Sequence, residues 1–215
     1  MAPDGFDPRV IGAAYAAIAD EYAAIADEYA ATFGDDLEHL DLDRRLLDTM
    51  AEHASGVGHV LDIGCGPAQV GRYLTARNVD VIGIDLAAAM LTVAGDREPR
   101  IAPVAADLRA LPVRSESVAG IVAFYVLQHL PRSDLRTAIR EQRRVLRRGG
   151  LLLVAVHAGT GEFQPAPGIT ATRYTADELA AHLADTSFVV ESIHDRRPLP
   201  HELQGDRIYV IARSA

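Results

Sequence analysis

The first chemical signal in this chain is a pair of acids bracketing a pair of glycines. His59-Val60-Leu61-Asp62-Ile63-Gly64-Cys65-Gly66-Pro67 reads as a buried strand that runs into a glycine turn. Val81-Ile82-Gly83-Ile84-Asp85 reads as a second buried strand that ends on a carboxylate. This layout suits a nucleoside, because glycines let the backbone approach a ligand closely and an acid about twenty residues on grips ribose hydroxyls. A dinucleotide fingerprint would carry a third glycine in the turn. Here Pro67, Ala68 and Gln69 follow, and position 69 is glutamine. Proline is easily placed in the first turn of a helix, whereas Ala68 is costly if the backbone there needs positive φ.

A second group of reactive types falls just past later strands. Tyr125 and His129 follow one apolar run and His157 follows another. In an open α/β sheet the carboxyl ends of the strands are the ligand side. A histidine there can take a proton, and a tyrosine can orient a substrate. His201 and Tyr174 lie on C-terminal segments that can close over such a site. No metal site is expected, since the histidines lack paired spacing and the one cysteine cannot anchor zinc. Cys65 is read as a small packing residue, with no basic neighbour to activate it. Arg140, Arg143, Arg144, Arg147 and Arg148 form a basic run read as a solvated helix face, its last two members complementing the helix C-terminus.

These residues need elements to hold them. Ile11, Tyr15, Ile18, Tyr22, Ile25, Tyr29 and Phe33 recur at spacings of three and four, one stripe of a helix. Tyr15–Glu21 is repeated as Tyr22–Glu28. Seven residues turn a helical stripe by only about 20°, so a duplication lengthens the helix without moving its apolar face. Gly34 is expected to end it, and Asp41 to Glu52 to resume a shorter one. From His59 onward strands (59–63, 80–84, 100–105, 117–123, 150–156) alternate with helices (68–77, 87–94, 133–147). Alternating βα units with continuously apolar strands imply an α/β, doubly wound, Rossmann-like and mostly parallel sheet. Gly159 to Gly168 reads as a loop. A helix at 176–184 and strands at 187–193 and 207–212 then form an antiparallel C-terminal edge hairpin, making seven strands. The expected organisation is one domain over 1–215, with a helical lid at 1–55 and the core at 56–215.

Taken together, these segments resemble the class I S-adenosylmethionine-dependent methyltransferases, the small bacterial methyltransferase-domain proteins among them. Asp62-Ile63-Gly64-Cys65-Gly66-Pro67 is similar to that family's first motif and Gly83-Ile84-Asp85-Leu86, with Met90, to the second. Ala106-Asp107-Leu108 resembles the third and Ile121 to Leu130 the fourth. Arg144 to Gly150 resembles the turn before the fifth strand, with Arg148 where proline is usual. The resemblance runs from about His59 to Val156, and Tyr15 or Tyr22, the acidic N-terminal helix and Leu42-Asp43-Arg44 resemble the family's leader. It implies S-adenosylmethionine as cofactor, held by Asp62, Gly64, Cys65, Gly66, Asp85, Leu86, Met90, Asp107, Leu108, Phe124 and Tyr22. It implies Asp85 on the ribose, Asp107 on the adenine amino group, and Tyr125, His129 and His157 at the reacting end. The expected activity is in-line methyl transfer to a small-molecule acceptor. The alternative is a protein that binds the cofactor and transfers nothing, because fold and site do not prove turnover.

Composition narrows the partners. A formal net charge of -9 disfavours nucleic acid. No apolar run approaches the roughly 20 residues of a membrane span. The acidic, alanine-rich start lacks a basic leader, and a single cysteine allows no internal disulfide. A cytoplasmic monomer or homodimer is therefore expected.

Overall fold

A computed structural model describes residues 17, 20–23, 25–33, 36–166, 168–200 and 202–215. Ile11, Tyr15, Ile18, Gly34 and His201 lie outside the described residues, as does most of the first copy of the repeat.

The chain builds a seven-stranded sheet from β1 (Val60–Ile63), β2 (Val81–Asp85), β3 (Ala102–Ala105), β4 (Val118–Phe124), β5 (Leu146–His157), β8 (Phe188–Arg196) and β9 (Arg207–Ser214). Their order is β3-β2-β1-β4-β5-β9-β8. The first five are parallel, and β9 runs antiparallel to both β5 and β8. The edge hairpin expected from the sequence is thus present.

Alternation along the strands sends neighbouring side chains to opposite faces. Leu61, Ile63 and Ile121 pack on one face with Ala138 and Ile139 of α5 (Leu135–Val145) and Leu179 and Leu183 of α6 (Ala176–Ala184). Val60, Val122 and Tyr209 pack on the other with Leu47 and Met50 of α2 (Asp41–Ala54), Leu74 of α3 (Gln69–Thr75) and Leu91 and Ala94 of α4 (Ala88–Arg97). Because both faces are covered, the strands read as unbroken apolar runs.

Three expectations change. The N-terminal stripe does not form one continuous helix through position 25: residues 20–23 are helical, Ile25 is a turn, and α1 covers Ala26–Phe33. Gly159 to Gly168 is not wholly loop, because β6 (Glu162–Ala166) pairs antiparallel with β7 (Ile169–Thr172). Proline inside a strand reads as a break, which hid this small hairpin. Finally, α5 stops at Val145 and β5 starts at Leu146. Arg147 and Arg148 therefore lie on a strand, and Arg143 and Arg144 occupy the last helical turn. Arg144 also braces the preceding loop, donating to Glu141 and to the carbonyl oxygens of Leu111 and Val113.

Candidate functional site

Strand order reverses between β1 and β4, and a crevice must open there beyond the strand ends. A cavity of about 700 Å³ occupies that place. Its wall begins at the turn after β1. Gly64 and Gly66 have φ of +69° and +48°, and Ala68 also sits in the left-handed region, at φ +65°. A Cβ on Gly66 would meet nothing within 4 Å, so the cavity comes right up to this backbone. Ala68 is fully buried. The burial of its methyl, about 0.8 kcal/mol, offsets part of the left-handed strain of about 1–2 kcal/mol.

Asp62, 2 % exposed, accepts from the Gly71 N–H at 3.1 Å. Burial pushes its carboxyl up to about 7, against that hydrogen bond, and the Asp85 charge adds to the rise. Asp85 sits across the turn. Its Oδ2 accepts from the Gly66 N–H at 3.0 Å and its Oδ1 from the Ala87 N–H at 2.9 Å. The Leu86 backbone also lends Asp85 a hydrogen bond, and a carboxylate has about four acceptor positions, so acceptor capacity remains for a ligand. Burial raises the Asp85 pKa, and the backbone donors hold it down. Burial also pushes the Cys65 thiol well above its usual value, so Cys65 is a packing residue that touches the cavity.

Leu86, Met90 and Leu108 form an apolar stretch of the wall, with Ala106 beside them. Asp107 does not join them. Its carboxylate is turned to Arg109, accepting from the Arg109 backbone N–H at 2.9 Å, from Nε at 3.0 Å and from Nη2 at 2.6 Å. Arg109 is itself buried and donates from Nη1 to Asp134 at 2.6 Å. Asp107 therefore serves as counter-charge to a buried guanidinium, and its carboxylate is not part of the cavity wall.

Past β4 and β5 the wall changes character. Phe124, Tyr125, His129 and His157 all line the cavity. Tyr22, on the helical segment 20–23, places its hydroxyl 3.2 Å from Nε2 of His129. Burial lowers the pKa of both histidines to about 4, a fall to which Arg207 and Arg173 contribute at His157, so both rings are uncharged at neutral pH. His157 packs between Tyr125 and Phe163 of β6. Tyr174 is fully buried, under Arg132, and is absent from the wall.

Several wall residues were given no role of their own by the sequence. Gln69 opens α3, and its buried Oε1 has no hydrogen-bond partner. Gln128 accepts through Oε1 from the His157 backbone N–H at 3.2 Å and lies 3.0 Å from Nδ1 of the same residue. Asp43, Glu202 and Arg207 arrive from the two ends of the chain. Spacing of single polar residues so far apart gives no periodic cue; only the folded chain brings them together. Among the described residues no cluster of histidine, cysteine and acid side chains is placed to hold a metal, and no helix is long and apolar enough to cross a membrane.

Residues 60–150 match the family model described as a methyltransferase domain. Over 117 residues the chain is 32% identical to a malonyl-[acyl-carrier protein] O-methyltransferase of Enterobacter lignolyticus, covering 54% of this chain and 46% of that one. Over 127 residues it is 35% identical to a trans-aconitate 2-methyltransferase of Azoarcus sp., covering 58% and 47%. The chain spans about half the length of the curated relatives it matches. Among solved structures, an S-adenosylmethionine-dependent methyltransferase from Methanosarcina mazei superposes with a TM-score of 0.67 at 19% identity, over 73% of this chain and 92% of that one.

Proposed function

We propose that this chain, which belongs to the class I S-adenosylmethionine-dependent methyltransferases, moves a methyl group from S-adenosylmethionine to a small-molecule acceptor. The observation that carries the proposal is the Asp85 carboxylate, lining the cavity across a glycine turn at the strand-order switch with acceptor capacity to spare. The cofactor supplies a methyl group on a cationic sulfur that leaves as a neutral thioether. The residues present fit its parts. Asp85 accepts from the two ribose hydroxyls. Leu86, Met90 and Leu108 take the adenine ring, and Phe124 and Tyr22 close over the middle. The backbone at Gly64, Cys65 and Gly66 takes the carboxylate of the amino-acid tail. Asp62 and the orphaned Oε1 of Gln69 supply acceptors for its ammonium. A leaving group that departs neutral asks for little stabilisation, so rate comes mainly from alignment, with effective molarities of about 10⁵–10⁸ M available.

Two expectations follow for the cofactor end. Asp62 must be ionised to hold an ammonium. Its folded pKa lies near 7, so it is protonated below that value and charged above it. Affinity for S-adenosylhomocysteine should rise about tenfold from pH 6 to pH 8, with a proton released on binding below pH 7. Calorimetry in buffers of different ionisation enthalpy measures this, and Asp62→Asn should flatten it. The same preference for the neutral acid makes the free protein lose stability as pH rises from about 4 to about 7, since the unfolded carboxyl ionises first. For Asp107, replacement by alanine should lower stability by about 1–3 kcal/mol, because Arg109 loses a partner. It should leave S-adenosylhomocysteine affinity within about threefold. A loss of tenfold or more at unchanged fold would assign Asp107 a direct cofactor contact.

The relatives' names, malonyl-[acyl-carrier protein] and trans-aconitate methyltransferases, support an acceptor outside nucleic acid. Labelled methyl from S-adenosylmethionine, offered with a panel of metabolites, should appear in a small product. Tight cofactor binding with no labelled product across the panel would make the chain a binding protein instead.

A further inference from the structure

We propose that Tyr125, Tyr209 and Asp43 form a proton relay leading out of the acceptor end of the cavity, so the acceptor is a nucleophile that carries its own proton, a hydroxyl or an amine. This rests on the methyl-transfer reading above.

The direction of every hydrogen in the chain follows from elimination. Arg196 turns its Nε and Nη2 edge onto the Tyr209 oxygen, both at 3.2 Å, a forked contact that takes one of the hydroxyl's two acceptor positions, and a guanidinium can only donate. Before transfer Asp43 is ionised in this relay, and an ionised carboxylate can only accept, so the Tyr209 hydroxyl donates to its Oδ1 at 2.8 Å. Tyr209 thus has no hydrogen left for its 2.7 Å contact with Tyr125, and Tyr125 is the donor there. The Tyr125 oxygen is left as an acceptor. Among the described residues none donates to it, and its side chain lines the cavity. A hydroxyl or amine placed there meets an oxygen already committed to passing its own proton inward.

The far end suits a proton. Asp43 is 1 % exposed, and burial raises its pKa. Its Oδ2 has no hydrogen-bond partner and lies 3.5 Å from Nε of Arg196. The groups facing the relay come from four sides. Arg196 comes from β8, Glu202 from the loop after it, Arg207 from β9 and His157 from β5. Glu202 is held by Arg196 at 2.6 and 2.8 Å, so this second carboxylate is already paired. The uncharged His157, with a pKa of about 4, is a poor proton sink. The backbone also bears a cost to aim Tyr125. Its φ is +56°, a left-handed conformation that is uncommon for a bulky residue and that strains the backbone.

The step balances. The acceptor's lone pair forms the bond to the methyl carbon, and the carbon–sulfur pair stays with sulfur. The acceptor's proton moves to Tyr125, that of Tyr125 to Tyr209, and that of Tyr209 to Oδ1 of Asp43. One positive and one negative charge disappear together.

The test needs no turnover. Protein is first titrated with S-adenosylhomocysteine by calorimetry, then with 4-nitrophenol, which is yellow only when ionised. In the wild type the bound phenol should ionise below its solution pKa, and a protonated-carboxyl infrared band should appear with it. Asp43→Asn should abolish the band, and Asp43→Asn and Tyr125→Phe should each raise the ionisation midpoint by at least about one pH unit. Tyr125→Phe leaves the Asp43–Arg196 pair in place, so it answers even if Asp43→Asn does not fold. A structural brace would leave the midpoint unmoved. If S-adenosylhomocysteine binds but the phenol does not, or if the variants match the wild type, the relay is wrong and the methyl-transfer reading stands. If S-adenosylhomocysteine fails to bind, it is that reading that falls.

Discussion

Gly64→Ala should destabilise the protein by about 2–5 kcal/mol and abolish measurable binding of S-adenosylhomocysteine. Two penalties add. Position 64 has φ +69°, where a Cβ costs about 1–2 kcal/mol. The new Cβ would also sit 2.5 Å from both Cβ and Cγ2 of Val126, and overpacking costs about 1–3 kcal/mol. Val126 follows Tyr125 at the tip of β4, so the clash pushes apart the two strand ends that frame the cavity. Urea denaturation gives the stability change through the midpoint. A loss under about 1 kcal/mol would mean that this turn is looser than its geometry implies. Gly66→Ala provides the contrast. Its added Cβ meets no protein atom, so the fold should lose only the backbone term while the methyl obstructs the ligand.

The second large effect is at the other side of the turn. Asp85→Ala should weaken S-adenosylhomocysteine binding by about 10- to 100-fold. Hydrogen bonds to a charged acceptor are worth about 1.5–3 kcal/mol, and about 1.4 kcal/mol is one decade. Part of the loss comes from the protein itself, since Gly66 N–H and Ala87 N–H would lose their shared acceptor. Asp85→Asn separates the parts, because its amide retains one acceptor oxygen for the backbone and loses the charge. Calorimetry showing an Asp85→Ala change under about threefold would remove Asp85 from the ribose.

What was legible in the sequence follows from how locally each feature is encoded. The parallel sheet near the site could be anticipated because β1, β2, β4 and β5 are apolar runs separated by helices, a pattern set by burial on both faces. The glycine turn and Asp85 were legible because a close backbone approach permits few residue types. The pairing of Asp107 with Arg109 was not legible, because the burial of Arg109 two residues away is a fact that only packing reveals. The hairpin of Glu162–Ala166 with Ile169–Thr172 was hidden by proline. The Asp43, Tyr209 and Arg196 contacts were invisible for another reason. Asp43 and Tyr209 are 166 residues apart in the chain, and their meeting depends on α2 packing against the face of β9.

Crystals of the protein grown with S-adenosylhomocysteine test the central claim most directly. The account predicts density across the tips of β1, β2 and β4, with both ribose hydroxyls on the carboxylate of Asp85 and the thioether sulfur toward Tyr125. Density for the nucleoside anywhere else, or a ribose that leaves Asp85 untouched, would contradict it.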